Sequence, residues 1–179
     1  VEVGEGVTEI AAGDAVVSPF VSMCGKCRYC QTGRPQLGDQ AAKAAYTLPD
    51  GTVRTKDLQG RPLNIFSGCG VMAEFATLHV DNVVKVDKDI PLDRAALVSC
   101  GVMTGVGAVV NTARVAPGSI TVVFGAGGVG LNAIQGCAIA GAAMIVAVDM
   151  ADAKLELARQ FGATHVLNAK NEENIVKAL

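Results

Sequence analysis

The chain of 179 residues carries a formal net charge of −2, and it is 50% hydrophobic but only 18% charged, which excludes disorder as a description of the whole. Residues 1–101 hold 10 basic and 12 acidic groups and residues 102–179 hold 5 of each, so neither half has the basic face that a polyanion requires, and no nucleic-acid partner is expected. The longest uninterrupted apolar run, Gly136 to Val148, has 13 residues, too few to span a bilayer, and no membrane partner is expected.

The first hundred residues read as β-rich and loop-rich. Val1–Val3 and Ala15–Val17 are strand candidates flanking the turn signal Ala12-Gly13-Asp14. Residues 24–64 gather Gly, Pro and charge into a lobe, with a turn at Pro49-Asp50-Gly51. Val71 to Val86 reads as two strands broken at Asp81-Asn82. Pro91-Leu92-Asp93 opens a short helix, and Gly101–Ala113 reads as a second. After Ala116-Pro117-Gly118-Ser119 the character changes. Ile120–Phe124 is an apolar, β-branched strand, followed by a glycine-rich turn and a small-residue helix to about Ala140. Met144–Val148 is the next strand. Asp152–Phe161 has helical periodicity, with Asp152 a candidate N-cap and Gly162 a stop. His165–Leu167 is a third strand and Glu172–Leu179 begins another helix. This alternation predicts a parallel sheet with right-handed crossovers.

Two motifs carry chemistry. Gly125-x-Gly127-x-x-Gly130 sits directly after a predicted strand and opens a helix, and Asp149 ends the next strand 19 residues on. That context is the one a dinucleotide site requires. Gly125 permits the tight turn, Gly127 lets the pyrophosphate approach the backbone, and Gly130 lets helix and strand pack closely. The phosphates would meet free N–H groups at the helix N-terminus. Asp149 would accept hydrogen bonds from the adenosine ribose and repel a 2′-phosphate, which predicts NAD rather than NADP.

The second motif is Cys24-x-x-Cys27-x-x-Cys30. Three thiolates at this spacing can converge on one ion, but a four-thiolate zinc site needs one more. A bacterial ferredoxin pattern would need its fourth Cys at Arg34, before Pro35, so that reading fails. The loop is either a metal site or a former zinc loop that no longer closes. The tight spacing argues against a disulfide framework. With no leader visible ahead of the first elements, a reducing cytoplasm is expected. Cys100 and Cys137, set among small apolar residues, read as packing residues by default, and His79 and His165 as structural.

Taken together, the Cys24–Cys30 loop, Cys100-Gly101-Val102-Met103-Thr104-Gly105, and the Gly125–Gly130 turn with Asp149 and Lys154 resemble zinc-dependent alcohol dehydrogenases of the medium-chain dehydrogenase/reductase superfamily. The resemblance implies an α/β chain. Its first part would be a partial GroES-like catalytic domain over residues 1–101, with the Cys-rich lobe at 24–64. Residues 102–179 would be the first half of a Rossmann domain, a doubly wound parallel sheet. Cys100 falls where such enzymes have the third catalytic-zinc ligand. Thr104 falls beside the nicotinamide and Val129 behind its ring. Gly125, Gly127, Gly128 and Gly130 fall on the pyrophosphate loop, and Asp149 and Lys154 on the adenosine ribose. Phe20 and Phe66 match pocket-lining positions. Cys24, Cys27 and Cys30 match three of four structural-zinc ligands, and the fourth would fall at Gly38.

The implied reaction is reversible hydride transfer between an alcohol or aldehyde and NAD. Zinc acts there as a Lewis acid on the alcohol oxygen, in a parent enzyme that is a homo-oligomer. In similar enzymes the other catalytic-zinc ligands lie upstream of the position of Val1, so the chain reads as the middle of an enzyme cut at both ends, and inactive by itself. The glutathione-dependent formaldehyde branch has an Arg where this sequence has Ala42, so that substrate is not expected. Two other functions fit the same residues: a zinc-independent medium-chain reductase, or a nucleotide-binding fragment without catalysis.

Overall fold

The computed structural model describes residues 2–39 and 46–179. The chain forms two compact units, Val1–Ser99 and Cys100–Leu179.

In the first unit the regular structure is sparse. Strand β1 is Val16–Val17; helix α1, Arg28–Gln31, lies in the Cys-rich lobe; strand β2 is Val84–Lys85. The two strands pair antiparallel, Val16 opposite Lys85 and Val17 opposite Val84. A 2.7 Å ion pair from Lys85 to Asp14 and the hydrogen bond from Val86 N–H to the Ala15 carbonyl extend this pairing. Leu48, Ile65, Ala95 and the polar Ser22 and Asn82 are buried. The turns at Gly13 and Gly51 form as expected, both with positive φ.

Two strand expectations fail here. Val1 lies outside the described residues, and Glu2 and Val3 are not in a strand. Between Val71 and Val86 only β2 is extended in a ladder. Met72 and Phe75 are exposed, and no described strand lies beside them to accept the backbone bonds that a strand needs.

Helix α2 is Leu92–Leu97 and α3 is Met103–Gly107. Wider, π-type turns at Val98–Val102 and Ala108–Ala113 join and extend them. The separate helices expected at Pro91 and Gly101 are therefore one helical stretch, Leu92–Ala113, which ends at Arg114 in the left-handed conformation. This stretch has 22 residues and its most apolar 18 have a mean hydropathy of 1.5, long and apolar enough to cross a membrane by length and composition alone. It is not an unbroken apolar run, since Asp93, Arg94, Ser99, Thr104, Asn111 and Thr112 interrupt it.

The second unit is a three-stranded parallel sheet in the order β3-β4-β5: β3 Ile120–Phe124, β4 Met144–Asp149 and β5 His165–Asn168. Helix α4, Gly128–Ile139, links β3 to β4, α5, Asp152–Gln160, links β4 to β5, and α6, Ile175–Ala178, follows. Ile120 stands opposite Met144 and Val146 opposite His165. Leu131, Ile134 and Cys137 recur every third residue on α4 and meet Ile145 and Ala147 of β4 and Leu155 and Ala158 of α5 in one core. Cys137 is thus a packing residue. β3 pairs only with β4 among the described strands, and Ile120, Val122 and Phe124 alternate outward on its exposed face.

The expected elements of this unit hold to within a few residues at their ends. The N-cap of α5 is Ala151 rather than Asp152. Asp152 takes the first helical position, where its carboxylate favours the helix dipole and accepts a 2.6 Å bond from the Asn168 amide. The last helix is shorter than expected, starting at Ile175 behind an Asn174 cap.

Candidate functional site

The glycine-rich turn connects β3 to α4. Gly125 has φ +88°, a conformation that side chains oppose, and it bends the chain out of the strand. Gly127 caps α4 in extended conformation. A Cβ added at Gly127 or Gly128 would meet nothing within 4 Å, so the backbone there faces open space. A Cβ at Gly130 would instead fall onto the Gly125 carbonyl oxygen. The turn therefore leaves open backbone at the end of a 12-residue helix, where unpaired N–H groups and the helix dipole favour an anion. These residues fit a dinucleotide pyrophosphate.

Asp149, at the end of β4, is tied into this turn. Its Oδ2 accepts from Ala126 N–H at 2.8 Å; its Oδ1 accepts from Met150 and Ala151 N–H at 2.8 and 3.0 Å. Lys154 Nζ stands 3.8 Å from Oδ2. The Ala126 N–H lowers the carboxyl pKa most and desolvation opposes it; the Ala151 and Met150 N–H groups and the Lys154 charge lower it further. The group is a carboxylate; Oδ1 already accepts two bonds, and Oδ2 keeps a lone pair for a further donor.

The helical stretch that carries Cys100 and Thr104 lies on α4 within the same unit. At Gly105 a Cβ would strike the Val129 carbonyl oxygen, the Asn132 side chain and the Ala133 N–H. At Gly136 a Cβ would come within 3.2 Å of Val106 and Val109. These two glycines let the helices touch backbone to backbone, and so they bring Thr104 alongside the turn bearing Val129. Thr104 and Val129 are both exposed, as is the Cys100 thiol. A catalytic zinc takes three protein ligands. Among the described residues Cys100 belongs to no group of three Cys, His, Asp or Glu that could share an ion. The donors present therefore do not by themselves hold that zinc.

In the first unit Phe20 and Phe66 come together, ring centroids 5.6 Å apart and tilted by 56°, and Tyr46 lies 6.4 Å from Phe66. Phe66 opens a turn in which Ser67 has φ +54°. Buried Asn82 holds that turn by donating from Nδ2 to the Gly68 carbonyl at 3.2 Å. Cys69 closes it, its Sγ 3.0 Å from Ser18 Oγ.

Cys24, Cys27 and Cys30 converge, their sulfurs all within 4.8 Å of one another. Gly25 at φ +68° turns the loop, and Cys27 caps α1. The N–H groups of Cys30 and Asp39 lower the Cys27 thiol to about 7 against desolvation, while burial and the hydrogen bond with Cys27 push Cys30 up. His79 accepts from Asp81 N–H, and His165 bonds Thr164 Oγ1. Both are local contacts at the surface.

Several of these features escaped the reading of the sequence. Glycines inside a helical pattern, Gly105 and Gly136, were a signal for close packing. The bond from Ala126 to Asp149 and the role of Asn82 had no signal in local sequence. Ala42 lies outside the described residues.

Comparison with known proteins gives the same picture along the chain. Residues 1–88 match the family described as alcohol dehydrogenase GroES-like domain, and residues 128–179 the family described as zinc-binding dehydrogenase. S-(hydroxymethyl)glutathione dehydrogenase of Paracoccus denitrificans is 42% identical over all of this chain and 48% of its own length. Alcohol dehydrogenase class-3 of Cereibacter sphaeroides is 41% identical over 99% and 48%. Among solved structures, an alcohol dehydrogenase zinc-binding domain protein from Burkholderia ambifaria superposes with a TM-score of 0.88 at 37% identity, over 98% of this chain and 48% of that one. Benzyl alcohol dehydrogenase from Acinetobacter calcoaceticus gives 0.80 at 36%, with the same coverage. The chain spans about half the length of the curated relatives it matches. A GroES-like domain followed by a partial Rossmann sheet, with the cysteine loop and the glycine turn in these positions, identifies the family: the chain belongs to the zinc-dependent alcohol dehydrogenases of the medium-chain dehydrogenase/reductase superfamily.

Proposed function

We propose that this chain carries the nucleotide-binding turn and part of the catalytic domain of an NAD-dependent enzyme that moves hydride between an alcohol or aldehyde and NAD. One observation carries the reading: the open backbone at Gly127 and Gly128, at the head of α4, is tied through Ala126 to the carboxylate of Asp149. The turn would take the pyrophosphate, and the lone pair left on Asp149 Oδ2, with Lys154 beside it, would take an adenosine ribose hydroxyl. Thr104 would hold the nicotinamide from one side and Val129 would back its ring. NAD, when bound, supplies the hydride acceptor; the protein's part is to position that acceptor and exclude water. Phe20 and Phe66 would give the substrate an apolar wall. Cys100 would be one ligand of a catalytic zinc whose other ligands this donor set does not supply. All six cysteines carry free thiols, which suits a reducing cytoplasm. A homo-oligomer is the assembly that the family resemblance implies.

Titration of the chain with NADH and NADPH, followed by nicotinamide fluorescence, tests the reading. NADH should bind at least about tenfold more tightly than NADPH. Equal affinity, tighter NADPH binding, or no NADH binding by the folded chain would overturn it. With zinc added, the same preparation should oxidise no simple alcohol above background, because Cys100 is one ligand where three are needed. Zinc-dependent turnover would reveal a metal site beyond those described.

A further inference from the structure

The cysteine loop does not fit the four-thiolate zinc that its family position implies. Its three sulfurs converge, Cys27 Sγ and Cys30 Sγ lying 3.5 Å apart. The chain returns to them at Gly38, where a Cβ would stand 3.4 Å from Cys30 Sγ and 3.5 Å from Cys27 Sγ. The fourth corner is thus occupied by a residue with no side-chain donor. Among the described residues, no other Cys, His, Asp or Glu joins the group.

We infer that Cys24, Cys27 and Cys30 form a three-thiolate site, open at Gly38, that takes a soft monovalent ion, Cu(I), in preference to zinc. A structural zinc is almost always four-coordinate and tetrahedral, so here it would keep an exchangeable water and be lost to competing chelators. Soft thiolates suit Cu(I) and zinc alike, but a monovalent d¹⁰ ion is content with three of them. The loop offsets the anionic charge of such a centre. From Cys24 to Asp39 it carries Lys26, Arg28 and Arg34 against one acid, Asp39.

The test is anaerobic metal titration of the 179-residue chain with Cu(I) alone and Zn(II) alone, each against a chromophoric chelator, with bound metal counted by native mass spectrometry. Cu(I) should bind at about one ion per chain with thiolate charge-transfer absorption, and zinc should be withdrawn by the chelator. Cys24→Ser and Cys30→Ser should each abolish the tight Cu(I), while Cys69→Ser and Cys100→Ser should leave it unchanged. Gly38→Cys should reverse the preference, adding about one chelator-resistant zinc per chain. Chelator-resistant zinc in the unaltered loop, lost on Cys24→Ser, would overturn the inference. Cu(I) that persists in the Cys24 and Cys30 variants would overturn it as well, placing the ion on other thiols. The cysteine variants keep the test decisive if Gly38→Cys fails to fold against the Pro35 carbonyl, 2.9 Å from its Cβ.

Discussion

Gly130→Val should lower the melting temperature of the chain by on the order of 10 °C, whereas Gly127→Ala should hold it within a few degrees and weaken NADH binding by about tenfold. The two glycines sit three residues apart in one turn but do different work. Any Cβ at position 130 lands on the Gly125 carbonyl oxygen. That obstacle is backbone, so it yields only by separating α4 from the end of β3. Overpacking of this kind costs about 1–3 kcal/mol and sometimes more. At position 127 the added methyl meets nothing. Alanine is a poorer N-cap than glycine, but losing a glycine restricts the unfolded chain, and these small terms oppose one another. What the methyl would meet is the incoming pyrophosphate. Thermal unfolding and NADH titration of both variants check the pair. A Gly127→Ala chain with undiminished NADH affinity would remove the phosphate from this turn.

Asp149→Ser should narrow the preference for NADH over NADPH by about tenfold, because it deletes the charge that faces a 2′-phosphate. The same change also releases the Ala126, Met150 and Ala151 N–H groups, so the variant should be less stable at neutral pH. Asp149 is held below the ordinary carboxylate range, chiefly by the Ala126 N–H. A depressed carboxyl pKa contributes stability that is complete above the unfolded value of about 3.9 and is lost as pH falls through the folded value. The stability gap between Asp149→Ser and the unaltered chain should therefore be constant from pH 7 to about 5 and close below about 4. Denaturant unfolding across that range measures it. A gap that persists unchanged at the lowest pH would mean that the carboxylate does not hold the turn.

The second unit was legible in the sequence because its contacts are local. Each parallel pairing closes over about two dozen residues or fewer, as Ile120 to Met144 and Val146 to His165. Buried strands such as Met144–Asp149 appear as unbroken apolar runs. The first unit was not legible in this way. β1 and β2 have two residues each and pair across Val16 and Lys85, a separation at which no periodicity survives. Val71–Leu78 is apolar enough to pass for a strand, yet among the described residues it has no ladder partner. The site divides along the same line. Glycines and acid of the nucleotide turn announce themselves by spacing, while the bond from Ala126 to Asp149 joins the turn after β3 to the end of β4 and exists only once the sheet has formed. The near approach of Gly38 to two sulfurs is likewise tertiary, since Cys27 and Gly38 meet only through the turns at Gly33 and Pro35.

The outer side of β3 bears on how this chain behaves in a test tube. Among the described residues no strand pairs with its outer N–H and C=O groups, which with Ile120, Val122 and Phe124 beside them are a template onto which a second copy can add edge to edge, and no lysine or proline within the strand blocks the approach. Self-association of the purified chain should then rise with concentration and be suppressed by a gatekeeper such as Val122→Lys. A dimer that Val122→Lys abolishes would report strand addition along β3.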